Sequence, residues 1–365
     1  MKLAIIGASI GQLPLCEKAK GLGIRTICFA WPQGAVCKDV VDKFYPISII
    51  EKEAILEVCR KEQIDGVVSN ASDLTAEIVS YVATRLHLHS VDYESFIKLK
   101  DKSVVRQMTN VINGLCQVRT FSRFETGSIP FPCVVKPKTG ASKKGVFFVN
   151  DEAELKTAIE KNLQKSDDII IEEFVPGKEI SVETISNEGR HYIIQITDKV
   201  NSGAPHFVEL AHHQPSSISK EVWNKVERIV PELLDVVGFR NGASHVELKV
   251  CSNGDVYLIE INPRGGGDEI SNKLVQLSTG YDYVKGMIDV ALGQFVIPVV
   301  QNKYYAGIYF LCKQTEHLLP VFKSNTKPTW LVEMNCKTID ELHTAMDNYT
   351  RDGYFIYQCD HKVVY

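Results

Sequence analysis

The chain has 365 residues, 44% of them hydrophobic and 24% charged, with 41 Lys and Arg against 45 Asp and Glu for a formal charge of −4. That balance is ordinary for a folded chain and excludes a basic nucleic-acid footprint or a polybasic membrane anchor. The length exceeds what one compact core holds, so two or three lobes are expected. No apolar run reaches the ~18 residues of a membrane span, and Leu3 to Ile6 is too short for a signal core. The 10 cysteines are scattered without a C-x-x-C pair. Together these features point to a cytoplasmic chain with reduced thiols.

In chain order, Lys2 to Ile6 reads as a buried strand, and Gly7-Ala8-Ser9-Ile10-Gly11 turns it into a helix. Strands follow at Ile24 to Phe29 and Asp65 to Ser69, with helical patterns between them such as Glu53 to Glu62. This alternation predicts a parallel sheet with helices on both faces. The glycine turn is G-x-x-x-G rather than G-x-G-x-x-G. The second strand ends Phe29-Ala30-Trp31-Pro32 without the acidic residue that a dinucleotide ribose needs. A tight strand-to-helix turn is the better reading, and an oxidoreductase is disfavoured.

Beyond about residue 98 the texture changes. A helix over Lys102 to Ile112 leads to strands Cys133 to Lys136 and Val146 to Val149, a helix from Glu152 to Leu163, and a strand from Ile169 to Glu173. Longer strands then run over Ile180 to Ile185, Tyr192 to Thr197, Ser244 to Val250 and Val256 to Ile261. This half reads as α+β with antiparallel sheets. Residues 200 to 217, rich in Gly, Pro, His and Ser, read as a mobile loop, and about 60 C-terminal residues carry no usable motif.

Within HVELKVCSNGDVYLIEIN, Asn253-Gly254 predicts a hairpin with a two-residue turn. That register opposes Glu247 to Glu260, His245 to Asn262 and Lys249 to Leu258 on one face. On the other it opposes Val246 to Ile261, Leu248 to Ile259 and Val250 to Tyr257. Opposed carboxylates repel and call for a cation or a shared proton. Two carboxylates with the Asn262 amide oxygen suit Mg²⁺. A solvated sheet face, eased by Lys249, is the alternative. Arg264, just beyond, has the two-pronged geometry for phosphate or carboxylate. Gly265 to Gly267 let the backbone approach a ligand.

Upstream, Lys136 ends an apolar strand, and Thr139-Gly140-Ala141-Ser142 with Lys143, Lys144 and Gly145 can cradle phosphate without being a P-loop. A snorkelling surface lysine is the competing explanation for Lys136. In IIIEEFVPGKEISVE, Glu179 and Glu183 share one side of a strand, which exposed polar alternation also explains.

Taken in order, Asp101-Lys102, VVKPKTGASKKGV, IIIEEFVPGKEISVE, HVELKV and LIEINPRGGG resemble the ATP-grasp superfamily over about residues 98 to 290. The layout is most similar to the L-amino-acid ligases and related carboxylate–amine ligases. The resemblance implies an α/β and α+β chain: a Rossmann-like domain (1–97), an ATP-grasp small lobe (98–185), and a large lobe with a C-terminal subdomain (186–365). It implies that ATP phosphates meet Lys102, Lys136 and the loop containing Thr139, Gly140, Ser142 and Gly145. Adenine would lie at Glu172, Glu173, Phe174 and Val175, and the ribose at Glu179. Mg²⁺, or Mn²⁺ in its place, would bind Glu247, Glu260 and Asn262, with Arg264 as the catalytic residue. Glu183 receives no role, and His212 or His213 falls on a substrate-side loop. The implied reaction joins a carboxylate to an amine through an acyl phosphate, releasing ADP and phosphate. The implied partners are small molecules, with neither nucleic acid nor membrane, and a homodimer is the default assembly. A carboxylating enzyme like biotin carboxylase or carbamoyl-phosphate synthetase, and a non-catalytic ATP-binding regulator, are the alternatives.

Overall fold

The computed structural model describes residues 1–123, 128–140, 144–164, 168–337 and 339–365, so Ser142 lies outside the described residues. Four short parallel strands, β1 (Lys2–Ile6), β2 (Arg25–Phe29), β3 (Lys43–Tyr45) and β4 (Gly66–Val68), form the first sheet in the order β3-β2-β1-β4. Leu3 to Ile6 are wholly buried because helices cover both faces. On one side lie the helices Lys52–Glu62 and Asp73–Leu86. On the other, Leu13–Gly21 is joined by Tyr283–Ala291 from far along the chain. Gly66 permits that contact, since a Cβ there would lie 2.4 Å from the Ala291 carbonyl oxygen. The N-terminal domain therefore shares a core with residues well beyond 97.

The remaining strands are β5 (Leu115–Cys116), β6 (Thr120–Phe121), β7 (Cys133–Pro137), β8 (Phe147–Val149), β9 (Ile169–Glu173) and β10 (Lys178–Asn187). They continue with β11 (Arg190–Asn201), β12 (Glu209–Gln214), β13 (Gly242–Val250), β14 (Val256–Asn262), β15 (Tyr305–Leu311), β16 (Leu331–Cys336) and β17 (Gly353–Cys359). They build a four-stranded sheet, β6-β9-β7-β8, and a nine-stranded sheet, β16-β17-β15-β12-β11-β10-β13-β14-β5. The expected lobe boundary at 185 falls inside β10, which pairs with β11 and β13 at the centre of the large sheet. The expected mobile loop over 200–217 shrinks to the link between β11 and β12, because the backbone of Glu209–Gln214 pairs on both sides. The C-terminal strands β15, β16 and β17 extend the same sheet. Among the described residues no helix is long and apolar enough to cross a membrane.

The large sheet is two-faced. Ile180, Val182, Val246 and Leu248 pack under the amphipathic helix Lys220–Val236 in one core. Strand alternation then sends Glu179, Glu183, His245 and Glu247 to the opposite face, which carries the site.

Candidate active site

The β13–β14 hairpin keeps Glu247 opposite Glu260 and His245 opposite Asn262, as its patterning predicts. Val246 opposite Ile261 holds as well, but the predicted pairings from Leu248 to Val250 are each off by one residue, for two reasons that cancel at the carboxylates. Cys251 N–H donates to the Asp255 carbonyl at 2.9 Å, so the loop has three residues and ends on Gly254 at φ +83° rather than two. A bulge between Glu247 and Leu248 then restores the step, giving Leu248–Leu258, Lys249–Tyr257 and Val250–Val256. The bulge turns Ile259 out of the core and into a cavity beside Glu260. Arg106 donates to its carbonyl at 3.1 Å.

Two cavities meet at the carboxylate pair. The first, about 180 Å³ and mainly apolar, lies between β7–β9 and β13–β14 and is lined by Lys136, Phe174, Val175, Ile259 and Phe207. The second, about 620 Å³, is more polar than the first and reaches Asp73, Arg264, Asp268 and Arg351. Glu247, Glu260, Lys144, Val146 and Phe207 line both.

On the first cavity, Asp101 caps the helix Lys102–Thr109, accepting from the Ser103 and Val104 amides, and so aims Lys102 inward. Lys102 Nζ donates to the Gly140 carbonyl and lies 3.0 Å from Glu260 Oε1. Lys136 is buried, not a snorkelling surface lysine, and sits 2.6 Å from Glu172 Oε2. Arg106 grips the same carboxylate through Nε at 2.9 Å and through its terminal nitrogen at 3.3 Å. Burial opposes the Glu172 charge, yet Lys136 and Arg106 outweigh it and hold the carboxyl down to about 2. Desolvation, with Arg106 adding repulsion, draws Lys136 below its ordinary value against the pull of Glu172. Glu173 also borders the first cavity, and its carboxylate pairs with Arg119 at 2.6 Å. Phe174 meets Phe148 edge-on at 5.0 Å and Phe207 at 6.1 Å, making an aromatic wall. Of the loop residues, Gly140 and Lys144 line the cavity, whereas Thr139 is exposed and lines neither. Gly145, at φ +75°, braces the turn by accepting from Asn162 at 2.9 Å.

Glu179 and Glu183 are buried rather than exposed. Glu183 is compensated by His245, and Glu179 by Lys199, on β11, whose ammonium lies 2.9 Å from Glu247, 3.3 Å from Glu179 and 3.4 Å from Glu209. Burial works against its charge, but these carboxylates raise it well above its ordinary value. His245 Nδ1 is 2.5 Å from Glu183 Oε1 and its Nε2 3.0 Å from Glu247 Oε1. Desolvation alone would lower this imidazole, but Glu183 and Glu247 push it up to about 9. Glu247 in turn stays well below the usual carboxylate range despite burial, because Lys199 and His245 face it. Asn262 is buried behind the pair, donating to the His245 carbonyl at 3.4 Å, and lines neither cavity.

On the second cavity, Arg264 is already engaged, Nε to Asp73 Oδ1 at 2.5 Å, at the start of a helix in the N-terminal domain. Gly265 and Gly266 approach protein rather than open space: Cβ atoms there would lie 2.5 Å from Asn70 Oδ1 and 2.8 Å from His245 Nδ1. Only Gly267 of the three faces the cavity. His212 and His213 sit in a buried strand, not a loop; His212 lines the cavity and His213 bonds the Tyr357 hydroxyl at 3.0 Å. Arg351, from the segment without a motif, pairs with Asp268 at 2.7 Å.

Sequence reading missed Arg106, Lys199, Glu209, Asp73, Asp268 and Arg351. Arg106 was findable, lying one helical turn beyond Lys102 on the same face. The others come from distant parts of the chain, Lys199 and Glu209 from strands, Asp73 from a helix start and Asp268 and Arg351 from loops, and carry no local pattern.

Residues 129–273 match the model of the ATP-grasp domain. That matched stretch holds Lys136, Glu172, Glu247, Glu260 and Arg264. Over 281 residues, 72% of its length, this chain is 24% identical to a formate-dependent phosphoribosylglycinamide formyltransferase of Wolinella succinogenes, of which that stretch is 70%. A D-alanine–D-alanine ligase of Phocaeicola vulgatus is 26% identical over 174 residues, 46% of this chain and about half, 53%, of the relative. The solved L-amino acid ligase from Bacillus licheniformis has the same fold, with a TM-score of 0.81 at 22% identity over 99% of this chain and 93% of that one.

Proposed function

We propose that this chain is an ATP-dependent carboxylate–amine ligase that forms an amide or peptide bond and releases ADP and phosphate. The observation carrying this reading is the Glu247–Glu260 pair, shared by a mainly apolar cavity and a larger, more polar one. A nucleotide base fits the first, small acid and amine substrates fit the second, and the carboxylates stand where the two ligands meet.

The amides of Glu173 and Phe174 already donate to Arg119 and Pro132 carbonyls. Base recognition therefore falls to the Val175 end of the segment and to the aromatic wall. Lys102 and Lys136 offset phosphate charge, and Glu179 meets the ribose. Glu247 and Glu260 suit Mg²⁺, with Asn262 behind them. The fit test is their charge: two ammonium groups, Lys102 and Lys199, lie within 3.0 Å of the pair, which supports a place for a cation there. The metal, when bound, would screen phosphate charge. Lys102, Lys136 and Arg264 offset the rest while a substrate carboxylate oxygen bonds the γ-phosphorus and the bond to ADP breaks. The amine nitrogen then bonds the acyl carbon, loses its proton, and phosphate leaves. Phe207, lining both cavities, limits water at the junction.

The test is phosphate release from Mg·ATP against a panel of single and paired L-amino acids and small carboxylic acids, with Glu260→Gln as control. Release requiring a particular pair and abolished in the control supports ligation. Nucleotide binding with no turnover across a broad panel favours a regulatory protein instead.

A further inference from the structure

Glu183 lines neither cavity and is completely buried on β10, directly opposite His245 on β13. Both of its oxygens are used. Oε1 faces His245 Nδ1 at 2.5 Å and accepts from Ser181 Oγ at 3.2 Å, while Oε2 accepts from the Gly266 amide at 3.1 Å. The other imidazole nitrogen reaches Glu247 at 3.0 Å. One unbroken chain of contacts thus runs from the glycine loop, two residues past Arg264, to the carboxylate at the junction of the cavities.

A buried charged pair is a poor way to stabilise a core, since hydrophobic residues of similar volume do as well or better. Its geometry here fits another purpose. Resting on the ligase reading, we infer that Glu183 and His245 are positioning residues that fix the orientation of Glu247 toward a divalent cation and seat the Arg264 loop at the same time. The loop is held against the pair so closely that a Cβ on Gly266 would lie 2.8 Å from His245 Nδ1 and 3.1 Å from Glu183 Oε1. Glu183 reaches neither cavity and His245 borders only the second, away from the cavity assigned to the base; each acts through Glu247 or Gly266. Groups that orient a ligand from behind typically change metal affinity ~10–100-fold when removed.

The test measures Mn²⁺ binding by electron paramagnetic resonance, on the full chain with a non-hydrolysable ATP analogue, for wild type, Glu183→Gln and His245→Gln. Binding of the analogue in EDTA is the companion readout, since it reports the Lys102 and Lys136 side. The expected result is Mn²⁺ affinity lowered ~10–100-fold in both variants, with metal-free analogue binding at the wild-type level. Wild-type Mn²⁺ affinity in either folded variant overturns the inference, as does an equal loss with and without metal. Failure of both variants to fold assigns the pair to the core and also overturns it. A wild type that binds neither Mn²⁺ nor the analogue sinks the ligase reading itself, and so separates the two claims.

Discussion

Replacing Glu172 with Gln keeps its shape and removes its charge, leaving Lys136 and Arg106 buried side by side. Lys136 lies 2.6 Å and Arg106 Nε 2.9 Å from the carboxylate, which is about 4% exposed, so solvent screens the trio little. The carboxyl is held at about 2 rather than its ordinary 4.5. At ~1.36 kcal/mol per pKa unit this amounts to roughly 3 kcal/mol favouring the ionised form in the fold, in line with the ~3–5 kcal/mol for breaking a buried pair. A depressed folded value means this stability is fully present above pH 4.5 and is lost as pH falls through about 2. The gap between wild type and Glu172→Gln is therefore expected to be roughly 3 kcal/mol at pH 7 and roughly 2 at pH 3.5. Urea unfolding followed by circular dichroism reads it as a midpoint lowered by ~1 M or somewhat less at neutral pH, since m is large for a chain of this size. Equal midpoints at pH 7, or a gap that widens on acidification, would refute the reasoning.

Lys199→Met should leave Glu179, Glu209 and Glu247 facing one another without their shared ammonium, costing ~3–5 kcal/mol in metal-free protein. Because a divalent cation can take over part of that role, Mg²⁺ should raise the variant's melting temperature more than the wild type's; an equal rise argues against a metal at Glu247. Gly266→Ala should destabilise by ~1–3 kcal/mol through overpacking against His245 and Glu183. Gly267→Ala, with no atom within 4 Å of its new Cβ, should melt as wild type does. Thermal unfolding of the two side by side decides whether the close approach is real.

Much of this was legible in local pattern. The apolar run Leu3 to Ile6, the alternation of β10 and β13, and the Asn253-Gly254 turn all mark their elements through periodicity and turn chemistry. The opposition of Glu247 to Glu260 followed from them even though the turn was one residue longer than predicted, because the bulge at Ile259 compensated. Bulges leave no composition signal. Nor does burial of charge: Glu179 and Glu183 look like an exposed strand face until β11 brings Lys199 and β13 brings His245 alongside. The length of the 200–217 loop was misjudged because His, Pro and Ser mask the pairing of Glu209–Gln214, whose partners β11 and β15 supply the hydrogen bonds. Arg351 and Asp268 meet across 83 positions of sequence, and only the sheet order makes them neighbours.

The central claim is that a substrate carboxylate takes the γ-phosphate from ATP before the amine arrives. Once the phosphate-release panel has named the acid, that acid carrying ¹⁸O in its carboxylate should be turned over with Mg·ATP and the amine, and the products read by mass spectrometry. The account predicts ADP and inorganic phosphate bearing one ¹⁸O from the acid. Unlabelled phosphate, or AMP with pyrophosphate in place of ADP, would contradict it.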